Sequence, residues 1–153
     1  MRESKFRAKK IDSEKWVYGG GAKTFGEQTL FLSEDEFHHP IIHLVKAETV
    51  GESIGLHDRN GNEIWEGDIV ATFYKYTYEV RFGNFQSIVS GELSVGFYLF
   101  INGVCRPMST IEREYEVIGN VYENPELLTP EDRLIREGVE ECKKLMGGED
   151  GKI

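Results

Sequence analysis

The chain has 153 residues, with 18 Lys and Arg against 27 Asp and Glu, giving a formal net charge of −9 and a pI near 5.0. That length suits one domain, or one domain with an extension, and allows a real core. The acidic balance disfavours a sequence-independent phosphate binder and docking on anionic lipid. Cys105 and Cys142 are the only cysteines and form no Cys-x-x-Cys pair, so they read as free thiols in a reducing compartment. Met1–Lys5 leads into no apolar signal region, and the longest apolar run, Val95–Ile101, is too short to span a bilayer. A soluble, cytoplasmic protein is expected.

Lys5–Ala8 alternates polar and apolar residues, Ile11–Glu14 turns, and Lys15–Tyr18 returns with Trp16 and Tyr18 on one face, which predicts a first hairpin. The basic run Lys5–Lys10 reads as a solvated edge strand whose lysines discourage further pairing. Gly19–Gly21 breaks the hairpin as a flexible loop, and Gln28–Leu32 is a second β segment. Ser33–Glu36 has the spacing of a capping box, although Pro40 stops any helix beyond about a turn. Ile41–Val50 is another strand candidate. Residues 1–52 are therefore expected to form a loosely built, β-rich N-terminal extension.

The stretch Ser53–Val70 organises the second region of the chain. Ile54–Leu56 and Ile64–Trp65 flank a polar run that contains Asn60-Gly61, a pair suited to a tight hairpin because both residues tolerate φ > 0. Glu66-Gly67-Asp68 turns the chain again. Strands are predicted at Asp68–Tyr74, Thr77–Phe82, Ile88–Val89, Leu93–Ile101, Cys105–Met108 and Tyr115–Tyr122. With no helix between them they suggest a closed or nearly closed barrel over 53–128. Phe97, Leu99 and Ile101 share one face and Tyr98 and Phe100 the other, so cover is expected on both sides, the second from another domain or subunit. Beyond it, Thr129-Pro130-Glu131-Asp132 starts a helix, and Leu134, Ile135, Val139, Cys142, Leu145 and Met146 form an apolar stripe ending at Gly147-Gly148. Residues 129–153 are read as a C-terminal α-helix and tail.

Residue patterns that carry chemistry each have a structural explanation. Gly19–Thr24 resembles the end of a phosphate-binding loop, but Ala22 stands where glycine is needed. His38, His39 and His43, with Asp35 and Glu36, form a dense ligand-type cluster, read as a surface group or an adventitious metal site because Pro40 obscures any convergence. Asp58, Glu63, Glu66 and Asp68 crowd the central hairpin beside His57. Turn capping explains Asp58, and an Asx-turn after a positive-φ glycine explains Asp68. The rings of Tyr74, Tyr76, Tyr78, Phe82, Phe85, Phe97, Tyr98 and Phe100, near Lys75 and Arg81, could stack single-stranded bases but are better read as core or protein contact area.

With those segments in view, the chain resembles the YopX family of phage and prophage proteins. The matching pieces are Lys5–Ala8, the central Ile54–Val70, Val80-Arg81-Phe82-Gly83 and Glu116–Leu128. Lys9-Lys10 departs from the Trp-Asp often found there, and the helix at 130–146 runs past the shared region. The resemblance implies an SH3-like barrel, and it supplies no catalytic or ligand residues. The expectation is thus a mainly β protein: an N-terminal extension (1–52), a small SH3-like barrel (53–128) and a C-terminal helix (129–153). No catalytic, cofactor-binding or metal-binding residues are assigned. The expected function is non-enzymatic: a protein-binding module that captures a host or phage protein and forms a homo-oligomer, with single-strand nucleic-acid binding as the alternative.

Overall fold

The computed structural model describes residues 5–72, 76–108 and 115–134. The chain is mainly β, and its strands form three antiparallel sheets. Strands β1 (Phe6–Lys9), β2 (Trp16–Gly19), β6 (Gly51–His57) and β7 (Glu63–Trp65) make a four-stranded sheet in the order β2-β1-β6-β7. Strands β3 (Gly21–Phe25), β4 (Gln28–Glu34) and β5 (Pro40–Val45) make a three-stranded meander. The five-stranded sheet runs β11-β10-β9-β8-β12, from β8 (Asp68–Thr72), β9 (Thr77–Gln86), β10 (Leu93–Ile101), β11 (Val104–Pro107) and β12 (Tyr115–Asn120). That last sheet ends on β11 and β12 without joining them, so the ring closure expected from the strand count does not occur among the described residues.

Period-2 alternation explains how the sheets stack. In β4, Thr29, Phe31 and Ser33 are buried while Leu32 and Glu34 face out. Phe31 packs with Ala8 and Val45, flanked by Phe6, Val17 and Val50, and this cluster joins the meander to the four-stranded sheet. On the other side Ile64 of β7 packs with Val70, Tyr78, Val80, Leu99 and Tyr115, and Ile54 and Leu56 add to it. The four-stranded sheet therefore lies between the other two. Ile69, Val121 and Leu128 close a third cluster, holding the segment after β12 on the five-stranded sheet. No helix among the described residues is long and apolar enough to cross a membrane.

Several expectations change. The Lys5–Lys10 segment is not a solvated edge: β1 pairs with both β2 and β6, and Arg7 and Lys9 are buried. The four-stranded sheet thus draws strands from both sides of residue 52. Gly19–Thr24 is not a loop, because Gly19 ends β2, the Gly20 amide donates to the Leu32 carbonyl, and Gly21 begins β3. No helix starts at Ser33: β4 runs through Glu34, and Ser33 bonds His43 instead. Ile88–Val89 lies in the turn after a β9 that continues to Gln86. The second cover of β10 comes partly from its own chain, since the Arg81 guanidinium lies 3.7 Å from the centroid of the buried Phe100 ring. The helix start is observed: residues 130–134 are helical and the Thr129 hydroxyl accepts the Asp132 amide at 3.2 Å. The apolar stripe from Ile135 to Met146, including Cys142, lies outside the described residues.

Adjacent glycines give this stacking a sharp test. A Cβ on Gly19 would collide with the Leu32 backbone carbonyl, whereas one on Gly20 would meet nothing within 4 Å. Gly19→Ala must separate β2 from β4 and is expected to lose several kcal/mol, on the order of 3. Gly20→Ala should stay within about 0.5 kcal/mol of the parent or gain slightly from a stiffer unfolded chain. Urea unfolding midpoints of the two variants check the contrast.

Candidate functional site

The residues with chemical capacity gather around β1. Arg7 and Lys9 are two apart on a strand and so share a face. Their neighbours across β2 are Tyr18 and Trp16. Arg7 Nη2 donates to Asp68 Oδ1 at 2.6 Å, across 61 residues of sequence, and both side chains are buried. The Trp16 ring lies over the Arg7 guanidinium at 4.2 Å, and the Trp65 centroid is 5.5 Å away. Lys9 Nζ meets Glu123 Oε1 at 2.9 Å, and the Trp16 indole donates to the same oxygen at 3.0 Å. Asn120 Nδ2 donates to the other Glu123 oxygen at 3.2 Å.

Asp68 sits at the start of β8 because Gly67, with φ 91°, reverses the chain just before it. Its second oxygen, Oδ2, accepts the Trp65 amide at 2.8 Å. Burial pushes its carboxyl up to about 6, although Arg7 and the Trp65 amide pull the other way. Desolvation therefore outweighs the ion pair.

Asp58 works differently. Its Oδ1 accepts the amides of Asn60 and Asn62, and its Oδ2 accepts the amide of Val117 on β12. Burial pushes this carboxyl up, but the amides of Val117, Asn62 and Asn60 together hold it below the ordinary range. The loop is thus built on an aspartate scaffold instead of the tight turn expected from Asn60-Gly61. Only Gly61 of that pair takes a positive φ, 84°. Arg59 Nη2 to Glu116 at 2.6 Å adds a second tie between this loop and β12.

Between the edge strands β7 and β12 opens a cleft of about 600 Å³. Arg7, Tyr18, Asn62, Glu63, Trp65, Asp68, Val117, Gly119 and Asn120 line it. Tyr18 and Trp65 contribute two rings 5.4 Å apart, tilted by 56°. Of the four central carboxylates the structure brings Glu63 and Asp68 to this cleft and turns Asp58 into the loop. Burial raises Glu66, and the carboxylates of Glu52 and Glu79 add to the rise.

The histidines do not converge. His38 bonds the exposed Glu34 and His39 the half-buried Asp35, within four residues of sequence, and His38 takes φ 64°. Asp35 accepts the amides of Phe37 and His39. His43 bonds Ser33 Oγ at 2.8 Å, and burial followed by the nearby Lys10 lowers its pKa. No group of three or more His, Cys, Asp and Glu that could hold a metal occurs among the described residues. Of the aromatic set, Tyr78, Phe85 and Phe100 are buried, Phe82 packs edge-on against Phe97, and Phe85 stacks on Tyr98. Tyr76 is exposed, and Tyr74 and Lys75 lie outside the described residues. Cys105 is a free, half-buried thiol, raised by burial.

Asp68 provides a direct measurement. Its folded pKa of about 6 exceeds the usual 3.8, so the folded chain favours the protonated form. The stability linked to this group is fully present below pH 3.8 and is lost as pH rises through 6, about 3 kcal/mol by neutral pH. Carboxyl carbon NMR should place its midpoint near 6. Arg7→Met should move that midpoint higher, because Arg7 now lowers it. Asp58→Ala leaves three amides without their acceptor and should cost about 3 kcal/mol in chemical denaturation.

No curated protein matches the chain. The model of the family described as YopX protein matches residues 5–129. That span runs from the strand carrying Arg7, through the turns built on Asp58 and Asp68, to Glu123 and the segment beyond it. The chain belongs to the YopX family.

Proposed function

We propose that this protein is a non-enzymatic, cytoplasmic protein-binding module that self-associates. On this reading the five-stranded sheet corresponds to the SH3-like unit that the family resemblance implies, and the meander supplies the contact surface. The observation that carries the reading is the outer face of β3-β4-β5. Leu32 of β4 stands opposite Ile42 of β5, and Leu30 stands opposite Leu44 and Lys23. Their alternation places them on the face opposite the buried Phe31. Phe25 is 54% exposed, Leu32 48%, Ile42 65% and Leu44 45%. An apolar patch on β4 and β5, with Phe25 at its corner on β3, is unlike the scattered single exposures of an ordinary surface.

A second copy suits this face because an isologous pairing needs no other chemistry than the face already has. Its centre is aliphatic, while Lys23 and Glu34 lie towards its margins, where opposite charges can meet across a two-fold axis. The carboxylates and cations elsewhere support binding over catalysis: Arg7, Lys9, Asp58, Asp68 and Glu123 are all engaged in holding elements together.

Sedimentation over a range of concentrations tests the proposal. The parent chain should form a dimer. Ile42→Glu should return it to a monomer with a stability change within about 0.5 kcal/mol, since that side chain contacts solvent and not the core. A parent chain that stays monomeric, or an Ile42→Glu variant that still dimerises, would overturn the assignment.

A further inference from the structure

The cleft between β7 and β12 is separate from the meander face, and its chemistry selects a ligand on its own terms. Its walls carry the Tyr18 and Trp65 rings, with Glu63 at β7 and the Arg7–Asp68 pair behind them. The positive charge of Arg7 is already engaged by Asp68, and its Nε is buried with no acceptor and closed to solvent. An anion entering the cleft would therefore meet no available cation. Glu63 is half-buried, and its side chain has no hydrogen bond or ion pair among the described residues. Asp68 is fully buried, and its two oxygens are taken by Arg7 and the Trp65 amide. The cleft thus combines an uncompensated carboxylate, aromatic walls and no free cation among the described residues of its lining.

Those three properties fit one kind of group. A planar guanidinium stacks on rings and donates in-plane hydrogen bonds to carboxylates at the same time. The molecule already uses that arrangement twice, with Arg7 over Trp16 at 4.2 Å and Arg81 over Phe100 at 3.7 Å while bonded to Glu79. The volume, about 600 Å³, lies within the range of small-ligand sites and accommodates a side chain with part of its backbone. We infer that this cleft receives an arginine side chain of a partner protein, the guanidinium stacked on the exposed Tyr18 ring, beside the Trp65 edge, and paired with Glu63. The net charge of −9 favours approach of a basic segment.

Two small probes decide it: N-acetyl-arginine methylamide, and its neutral isostere N-acetyl-citrulline methylamide. Each is titrated into the full chain while the Trp65 indole and Tyr18 ring resonances are followed. The arginine probe should give saturable shifts at both rings, with millimolar affinity, and bind at least about fivefold more tightly than citrulline. Glu63→Gln, which removes a charge without a partner to orphan, should weaken the arginine probe by a similar factor and leave the melting temperature unchanged. Tyr18→Leu should also weaken it while keeping an apolar side chain on β2. Equal binding of both probes, shifts confined to other resonances, or unaltered affinity in Glu63→Gln would overturn the inference. The Ile42→Glu variant should bind the probe as the parent does, so failure here is distinguishable from failure of the self-association reading.

Discussion

Arg7 and Asp68 are buried together, 61 residues apart in sequence, at the point where the first hairpin meets the central turn. Two charges taken out of water gain little net stability from each other, but removing either one strands the other. The pair therefore acts as a constraint more than as a source of energy: it allows one register of β1 against the rest. The alternation of β1 extends that constraint. Arg7 and Lys9 point towards Asp68 and Glu123, and so towards the five-stranded sheet and its tail. Phe6 and Ala8 point the other way, into the cluster with Phe31 and Val45 of the meander. A single four-residue strand thus sorts its neighbours by parity, polar on one side and apolar on the other.

Much of the β architecture is legible from local signals, because turns and alternation are written in short stretches of sequence. The returns at Ile11–Glu14 and Asn60–Asn62, the Gly67 corner and the Thr129 cap all occur where those signals lie. The errors share a cause: each depends on a distant partner. The Lys and Arg of residues 5–10 look like an exposed edge until Asp68 and Glu123 are placed beside them. Gly19–Gly21 looks like a break until the Leu32 carbonyl is seen pressed against Gly19. Ser33 has the spacing of a helix cap, but β4 has a better use for it, pairing across to β5.

The cleft is less legible still. Tyr18 and Trp16 are visible as one face of a strand, and Arg7 and Lys9 two apart on the opposing strand could signal a cationic face meeting an aromatic one. Nothing local places Glu63 next to that face, since β7 reaches it only through the four-stranded sheet. Asp58 is legible as a turn former, but its bond to the Val117 amide is not, because that contact belongs to the tertiary fold. The site inherits rigidity from this construction. Its walls are strands already fixed by buried charges and amide-bound carboxylates, so a ligand would find its partners in place.

The same long-range pairing bears on how the chain is made. Synthesis delivers the first hairpin early, yet Asp68 follows some way behind and Glu123 nearly at the end of the described region. Until those carboxylates leave the ribosome, Arg7 and Lys9 have no counter-charge and belong in water. β1 can pair locally with β2, but its buried ion pairs can be completed only after Asp68 and Glu123 have been translated.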